Sequence, residues 1–165
     1  MSEPTFSEFM AARWAPLYRT AYLLAGNAHE AEELLQNAMV KTCLRWDKIR
    51  DKQAADSYVR TTMANLATRL WRRRGRELPS DTLPEDATGA GLDVRADHLA
   101  LWEQIRALPP RMRATLVLRF FDDLTVADTA RELGCSVGAV KSQTHHALRR
   151  LRAALPDLEI QEDLR

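Results

Sequence analysis

Cysteine is nearly missing: Cys43 and Cys135 are the only two in 165 residues, at unrelated positions. That excludes a disulfide-stapled scaffold and any cysteine-based metal spacing, and two lone thiols suit a reducing compartment. Long apolar runs are missing too. The longest, around Ala21 to Ala25, is far too short to span a bilayer, and neither end reads as a signal peptide. The expectation is a cytoplasmic protein with no membrane insertion. Internal repeats are absent, and 6 glycines with 45% hydrophobic and 28% charged residues describe a globular chain, long enough for one domain or two small ones. Net charge is only +1, which excludes a uniformly basic coat.

What is present is charge in blocks. Residues 69–76 hold five arginines and no acid, and residues 77–97 hold six acids and one arginine. Such alternation points to local partners rather than to a general polyanion affinity.

The stretch Leu124 to Arg152 reads as a helix-turn-helix. Thr125 is an N-cap with Asp128 at the capping-box position, and Val126, Ala130 and Leu133 recur at helical spacing. Gly134 follows where a left-handed C-cap residue is needed. Ser136 caps the next helix, whose inner stripe is Val137, Val140, Thr144, Ala147, Leu148 and Leu151. The opposite face carries Lys141, Ser142, Gln143, His145, His146, Arg149 and Arg150. Such a helix reads base edges with its N-terminal half and meets phosphate with its C-terminal half. Ahead of it, Leu99, Leu101, Trp102, Ile105 and Leu108 make one amphipathic helix. Arg111 to Phe121 makes another, burying Met112, Leu116, Val117 and Phe120.

The N-terminal half reads as three helices. The first carries Phe6, Phe9, Met10, Arg13, Trp14, Leu17, Tyr18, Ala21 and Leu24 at helical spacing and breaks at Gly26-Asn27. The second, capped by Asn27 with Glu30, buries Ala31, Leu34, Leu35, Ala38, Thr42 and Trp46, with Glu32, Glu33, Gln36, Asn37, Lys41 and Arg45 outside. His29-Glu30-Ala31-Glu32-Glu33 is no zinc-protease helix, because Glu33 stands where the second histidine is required. After a polar connection, Asp47 to Asp56, a third helix runs from about Ser57 to Arg74. Its inner stripe is Tyr58, Val59, Met63, Leu66, Ala67 and Leu70, and its outer face Arg60, Thr61, Asn65, Thr68 and Arg69. It ends in Trp71, Arg72, Arg73 and Arg74, where guanidinium groups suit phosphate and an indole can stack on an unpaired base. Residues 77–97, with two prolines, two glycines and no apolar period, read as a flexible acidic linker.

These residues carry a resemblance to the bacterial RNA polymerase sigma factors of the extracytoplasmic-function type. Ala107 to Arg152 resembles their region four, Ala28 to Trp46 their polymerase-binding helix, and Ser57 to Arg74 their −10-binding helix. The arginine-tryptophan end of that helix resembles the SigE-like subgroup. The resemblance implies an all-α protein of two small domains, region two over 1–76 and region four over 98–155, joined by the linker 77–97 and followed by a tail, 156–165. It implies a non-enzymatic subunit without cofactor or metal that binds core polymerase at its clamp and flap and directs initiation at promoter DNA. Glu33, Gln36 and Asn37 would dock on the clamp, and the Asp47 to Asp56 loop would capture a flipped −10 base. Arg60, Asn65, Arg69, Trp71, Arg72, Arg73 and Arg74 would meet the −10 element. Ser136, Lys141, Ser142, Gln143, His145, His146, Arg149 and Arg150 would meet the −35 element. Gln143 stands where the family commonly has arginine. Family analogy adds an anti-sigma factor as a further partner. The alternatives are a stand-alone helix-turn-helix regulator and a helical adaptor with no DNA role.

Overall fold

The computed structural model describes residues 2–74 and 96–157, with backbone only at 71, 72, 74 and 96–98. The linker expected over 77–97 and most of the tail therefore lie outside the described residues. So do the side chains of Trp71, Arg72 and Arg74. Among the described residues every regular element is helical, and the chain divides into two compact units, Met1–Ala87 and Thr88–Arg165.

The first unit is a three-helix bundle. α1 (Phe6–Ala25) starts on a reciprocal capping box that sequence reading missed. Thr5 Oγ1 accepts from the Glu8 N–H at 3.3 Å, and Glu8 Oε2 accepts from the Thr5 N–H at 2.7 Å. Those bonds favour the charged form, so they hold the Glu8 carboxyl below its ordinary range. Gly26, at φ +92°, ends the helix with its N–H on Tyr22 O. Asn27 Oδ1 accepts from the Glu30 N–H at 2.9 Å and opens α2 (Ala28–Leu44). α3 (Ala55–Arg74) packs against both. Their common core is Leu17, Ala21, Leu35, Ala38, Val59 and Met63, all fully buried.

Three expectations here need correction. Trp46 is not on α2. The helix stops at Leu44, and Trp46 opens a 3₁₀ turn, Trp46–Lys48, with its ring on Phe6 and Phe9. The third helix starts at Ala55 and not at Ser57, because a second 3₁₀ turn, Lys52–Ala54, leads directly into it. Leu70, expected inside, lies near the end of α3 and is 43% exposed.

The second unit holds α4 (Ala96–Ala107), α5 (Pro110–Leu116), α6 (Val126–Leu133) and α7 (Val137–Ala154). Pro110 sits at the start of α5, where its missing N–H is no loss. The main core gathers Ile105, Leu108, Leu116, Ala147, Leu148 and Leu151, covered by Leu101, Trp102, Met112 and Phe120. Truncating Leu148 or Leu116 to alanine there costs about 2–5 kcal/mol. A smaller core of Val126, Ala130 and Val140, with Cys135 against it, joins α6 to α7. The expected single helix from Arg111 to Phe121 changes its winding: α5 is α-helical to Leu116 and runs on without a break into a π turn, Val117–Phe121. The wider turn buries Leu118, leaves Phe120 half-buried and turns Phe121 outward. Leu99 and Val137, expected inside, are 44% and 43% exposed.

Candidate nucleic-acid and polymerase interfaces

The helix-turn-helix is built by caps at each corner. Thr125 Oγ1 accepts from the Asp128 N–H at 3.0 Å. The Asp128 carboxylate does not close the expected box but pairs with Arg131, one turn on. Gly134 takes φ +63°, and a Cβ there would meet no atom within 4 Å, so glycine is required by conformation and not by space. Ser136 Oγ accepts from the Ala139 N–H at 3.0 Å and starts α7. That bond occupies the Ser136 oxygen but leaves its hydroxyl proton free to donate.

The lead into the motif is held from beneath. Arg119, 8% exposed, donates to Leu124 O and lies 5.8 Å from the Phe120 ring centre. Leu124 N–H donates to Leu118 O at 3.0 Å, and Asp123 takes φ +53° to make the bend. Sequence reading missed Arg119 and the buried Arg113, whose Nη2 reaches Leu108 O at 3.4 Å. Arginine is ordinarily a surface residue, so no periodicity marks one that satisfies carbonyls at a helix break.

α7 turns Val140, Thr144, Ala147, Leu148 and Leu151 inward. Lys141, Ser142, His145, His146, Arg149 and Arg150 are all exposed on its open side. The His145 and His146 rings meet edge to face at 5.7 Å. Gln143 departs from the expected layout: it is half-buried on the flank of α7, and its Oε1 is shielded with no donor among the described residues.

In the first unit, Glu33, Gln36 and Asn37 are exposed on α2, with Gln36 Nε2 donating to Glu32 Oε1 at 3.3 Å. The same stripe continues into Val40 and Leu44, which are 58% and 79% exposed. Sequence reading missed these two, although Val40 lies three residues after Asn37 and Leu44 four after Val40, both helical spacings.

α3 presents its expected residues unequally. Asn65, Arg69 and Arg73 are exposed. Arg60 is not on an open face. Its Nη1 lies 2.6 Å from Asp56 Oδ2, while Arg13 Nε lies 2.6 Å from Asp56 Oδ1, and both Asp56 and Arg60 are mostly covered. The pairing with Asp56 raises the Arg13 pKa further. Arg60 is thus a member of an α1–α3 clasp.

Between the end of α2 and α3 lies an open groove of about 350 Å³. Leu44 and Leu66 give it apolar walls, Tyr58 an aromatic one, and Thr62 and Asn65 polar groups. Lys41, Arg45 and Arg69 line it as well, and among the described residues none of the three is in an ion pair. An apolar and aromatic cleft edged by exposed cations has the chemistry of a site for a base and its phosphate. No group of three metal-ligating side chains occurs among the described residues, and no described helix is long and apolar enough to cross a membrane.

A helical unit with a capped helix-turn-helix, together with a separate three-helix unit with a cationic groove, defines a two-domain DNA-binding protein of transcription. Comparison with known proteins agrees and is more specific. The family model described as sigma-70 region 2 matches residues 12–77, and that described as sigma-70, region 4, matches residues 98–151. The chain is 38% identical over 156 residues to the RNA polymerase sigma-E factor of Streptomyces avermitilis, covering 94% of this chain and 87% of that one. It is also 38% identical over 151 residues to that of Streptomyces coelicolor, covering 91% and 85%. The sigma factor RpoE of Bartonella quintana, solved in complex with the anti-sigma factor NepR, shares the fold at a TM-score of 0.72 and 21% identity, over 93% of this chain and 98% of that one. The chain belongs to the RNA polymerase sigma factors of the extracytoplasmic-function family, and its function is that of a sigma factor in transcription initiation.

Proposed function

We propose that this sigma factor engages core polymerase through the outer stripe of α2, reads a −35 duplex with α7 and holds the melted −10 strand with α3 and the connection before it. The observation that carries this is the separation of two faces of different chemistry. α7 offers an exposed row of donors that fits a major groove. The α2–α3 groove offers apolar and aromatic walls with exposed cations, which fits an unstacked nucleotide. On α2, Glu33, Gln36 and Asn37 with Val40 and Leu44 combine polar groups with an apolar centre, the make-up of a protein interface. Ser136, Lys141, Ser142, His145 and His146 serve the −35 bases and nearby phosphates, and Arg149 and Arg150 serve phosphate alone. Arg69, Arg73 and Asn65 serve the −10 strand together with Trp71, Arg72 and Arg74. The two domains are regions two and four, bounded at 1–76 and 98–155.

The chemistry of RNA synthesis stays with the polymerase, so the chain acts without an active site of its own, in the cytoplasm. An anti-sigma factor is proposed as a further partner, by analogy with the complex in which the Bartonella protein was solved. The test is reconstitution. Core polymerase with this chain initiates at specific promoters selected from a random library, and core alone does not. Absence of both core binding and specific run-off product would overturn the proposal in favour of a stand-alone regulator or an adaptor.

A further inference from the structure

The connection between α2 and α3 is braced from within by Lys52. Lys52 Nζ donates to Trp46 O at 2.5 Å and to Ile49 O at 2.9 Å, and it lies 4.7 Å from the centre of the Trp46 ring. Trp46 in turn is anchored on the first helix, 5.4 Å from Phe6 and 5.2 Å from Phe9 between ring centres. The rest of the connection closes on itself. Lys48 and Ile49 N–H groups return to Arg45 O, and Asp51 Oδ1 caps the second turn through the Gln53 N–H at 2.9 Å. The outcome is a short segment with two carbonyls, Trp46 O and Ile49 O, on one ammonium and with Asp47, Lys48, Arg50 and Asp51 exposed.

Two carbonyls aimed at one point repel each other unless a cation sits between them. Lys52 supplies that cation, and its contact with the indole joins the backbone of the connection to the aromatic cluster under α1. An ordered loop binds more tightly than a mobile one of equal chemistry, because ordering it at the moment of capture costs conformational entropy.

We infer that Lys52 is a positioning residue that pre-orders the Trp46 to Ala54 connection for capture of an unstacked −10 base, acting through the backbone and Trp46 and not through phosphate. This rests on the −10 role proposed above for the connection. The alternative for a lysine in this region is a plain electrostatic contact with DNA, and the two differ in measurable ways. A phosphate contact contributes to the salt dependence of binding whatever bases are present. A brace contributes only when there is a base to capture.

The experiment uses holoenzyme reconstituted from core polymerase and the full chain. The probes are single-stranded non-template oligonucleotides carrying the −10 element of a promoter selected by the wild type, intact or with one abasic position at a time. Wild-type holoenzyme discriminates the intact strand from the strand abasic at the captured position. Lys52→Met is expected to bind the intact strand about tenfold more weakly, to bind that abasic strand as the wild type does, and to keep the wild-type salt slope. Equal losses on both strands, no loss on either, or a log–log slope reduced by about 0.7 would overturn the inference. Lys52→Arg keeps a cation over Trp46 with donors for both carbonyls, so recovery of most of the loss supports the brace. A loss as large as that of Lys52→Met in a normally folded Lys52→Arg chain would also overturn it. A wild-type holoenzyme indifferent to every abasic position would overturn the −10 reading itself, a result separable from failure of the Lys52 variants alone.

Discussion

Asp56 holds two arginines from two directions, Arg13 on α1 and Arg60 on its own helix, at 2.6 Å each. Arg60 and Asp56 are 19% and 15% exposed at their side chains, so removing the carboxylate strands a mostly covered guanidinium. Asp56→Asn is expected to destabilise the first unit by about 1–3 kcal/mol, below the loss for a fully buried pair because Arg13 remains 41% exposed. Amide hydrogen exchange along α1 and α3 in the full chain measures it, with α7 unaffected. Gln143 makes the opposite case, a polar group whose oxygen is covered and unbonded. Glutamine pairs with adenine, while arginine prefers guanine O6 and N7 and is long enough to leave this flank for the groove. Gln143→Arg is therefore expected to move one −35 base pair toward guanine, with a discrimination change of about 1–3 kcal/mol. Selection of −35 variants by both holoenzymes reads it directly, and identical selections would mean that this side chain never reaches the bases.

Among the elements, α2 separates folding from docking along its own length. Its inner stripe, Ala31, Leu34, Leu35 and Ala38, is buried, whereas Val40 and Leu44 on the outer stripe are 58% and 79% exposed. Val40→Asp with Leu44→Asp should leave stability within about 0.5 kcal/mol while sharply weakening core-polymerase binding. A pull-down beside a thermal melt distinguishes this from unfolding. α3 ends in a basic run whose partners are proposed to be phosphates. Neutralising Arg72, Arg73 and Arg74 should weaken promoter binding for all sequences alike and reduce the log–log salt slope by about 0.7–0.9 per lost contact. A slope equal to the wild type's would remove these residues from the interface.

The whole molecule has two compact units and a chain segment of strongly acidic composition between their matched regions. Read as a tether, the segment sets the effective concentration of the second DNA contact once the first is made. Doubling its length with Gly-Ser repeats should then cost only about 0.6 kcal/mol of promoter affinity, measured on a promoter with fixed −35 to −10 spacing. A loss of several orders of magnitude would show that the segment acts as a rigid or docking element instead.

Much of the second unit was legible from residue types alone, because its signals are local. Thr125, Gly134 and Ser136 each act on backbone groups within about one turn, and a cap residue has few substitutes. The same holds for the inward stripes of α2 as far as Thr42 and of α7 from Val140 onward, where helical spacing selects the face. Family-level likeness then followed from how those local signals are strung together. What residue types could not settle were choices made between segments distant in sequence. Arg60 looked like an outer-face cation until Asp56 and Arg13 enclosed it, the latter separated from Asp56 by 43 positions. Trp46 looked like the last apolar residue of α2 until Phe6 and Phe9 drew it across the bundle. The exposure of Val40 and Leu44 belongs to the same class, since it depends on which helix faces the rest of the unit covers. By itself the sequence determined where helices begin, end and turn an apolar side, since a backbone hydrogen bond needs only its near neighbours. Tertiary structure alone decided which charged and aromatic groups became partners and which stayed open to solvent, because many residue types satisfy a distant contact and only packing selects among them.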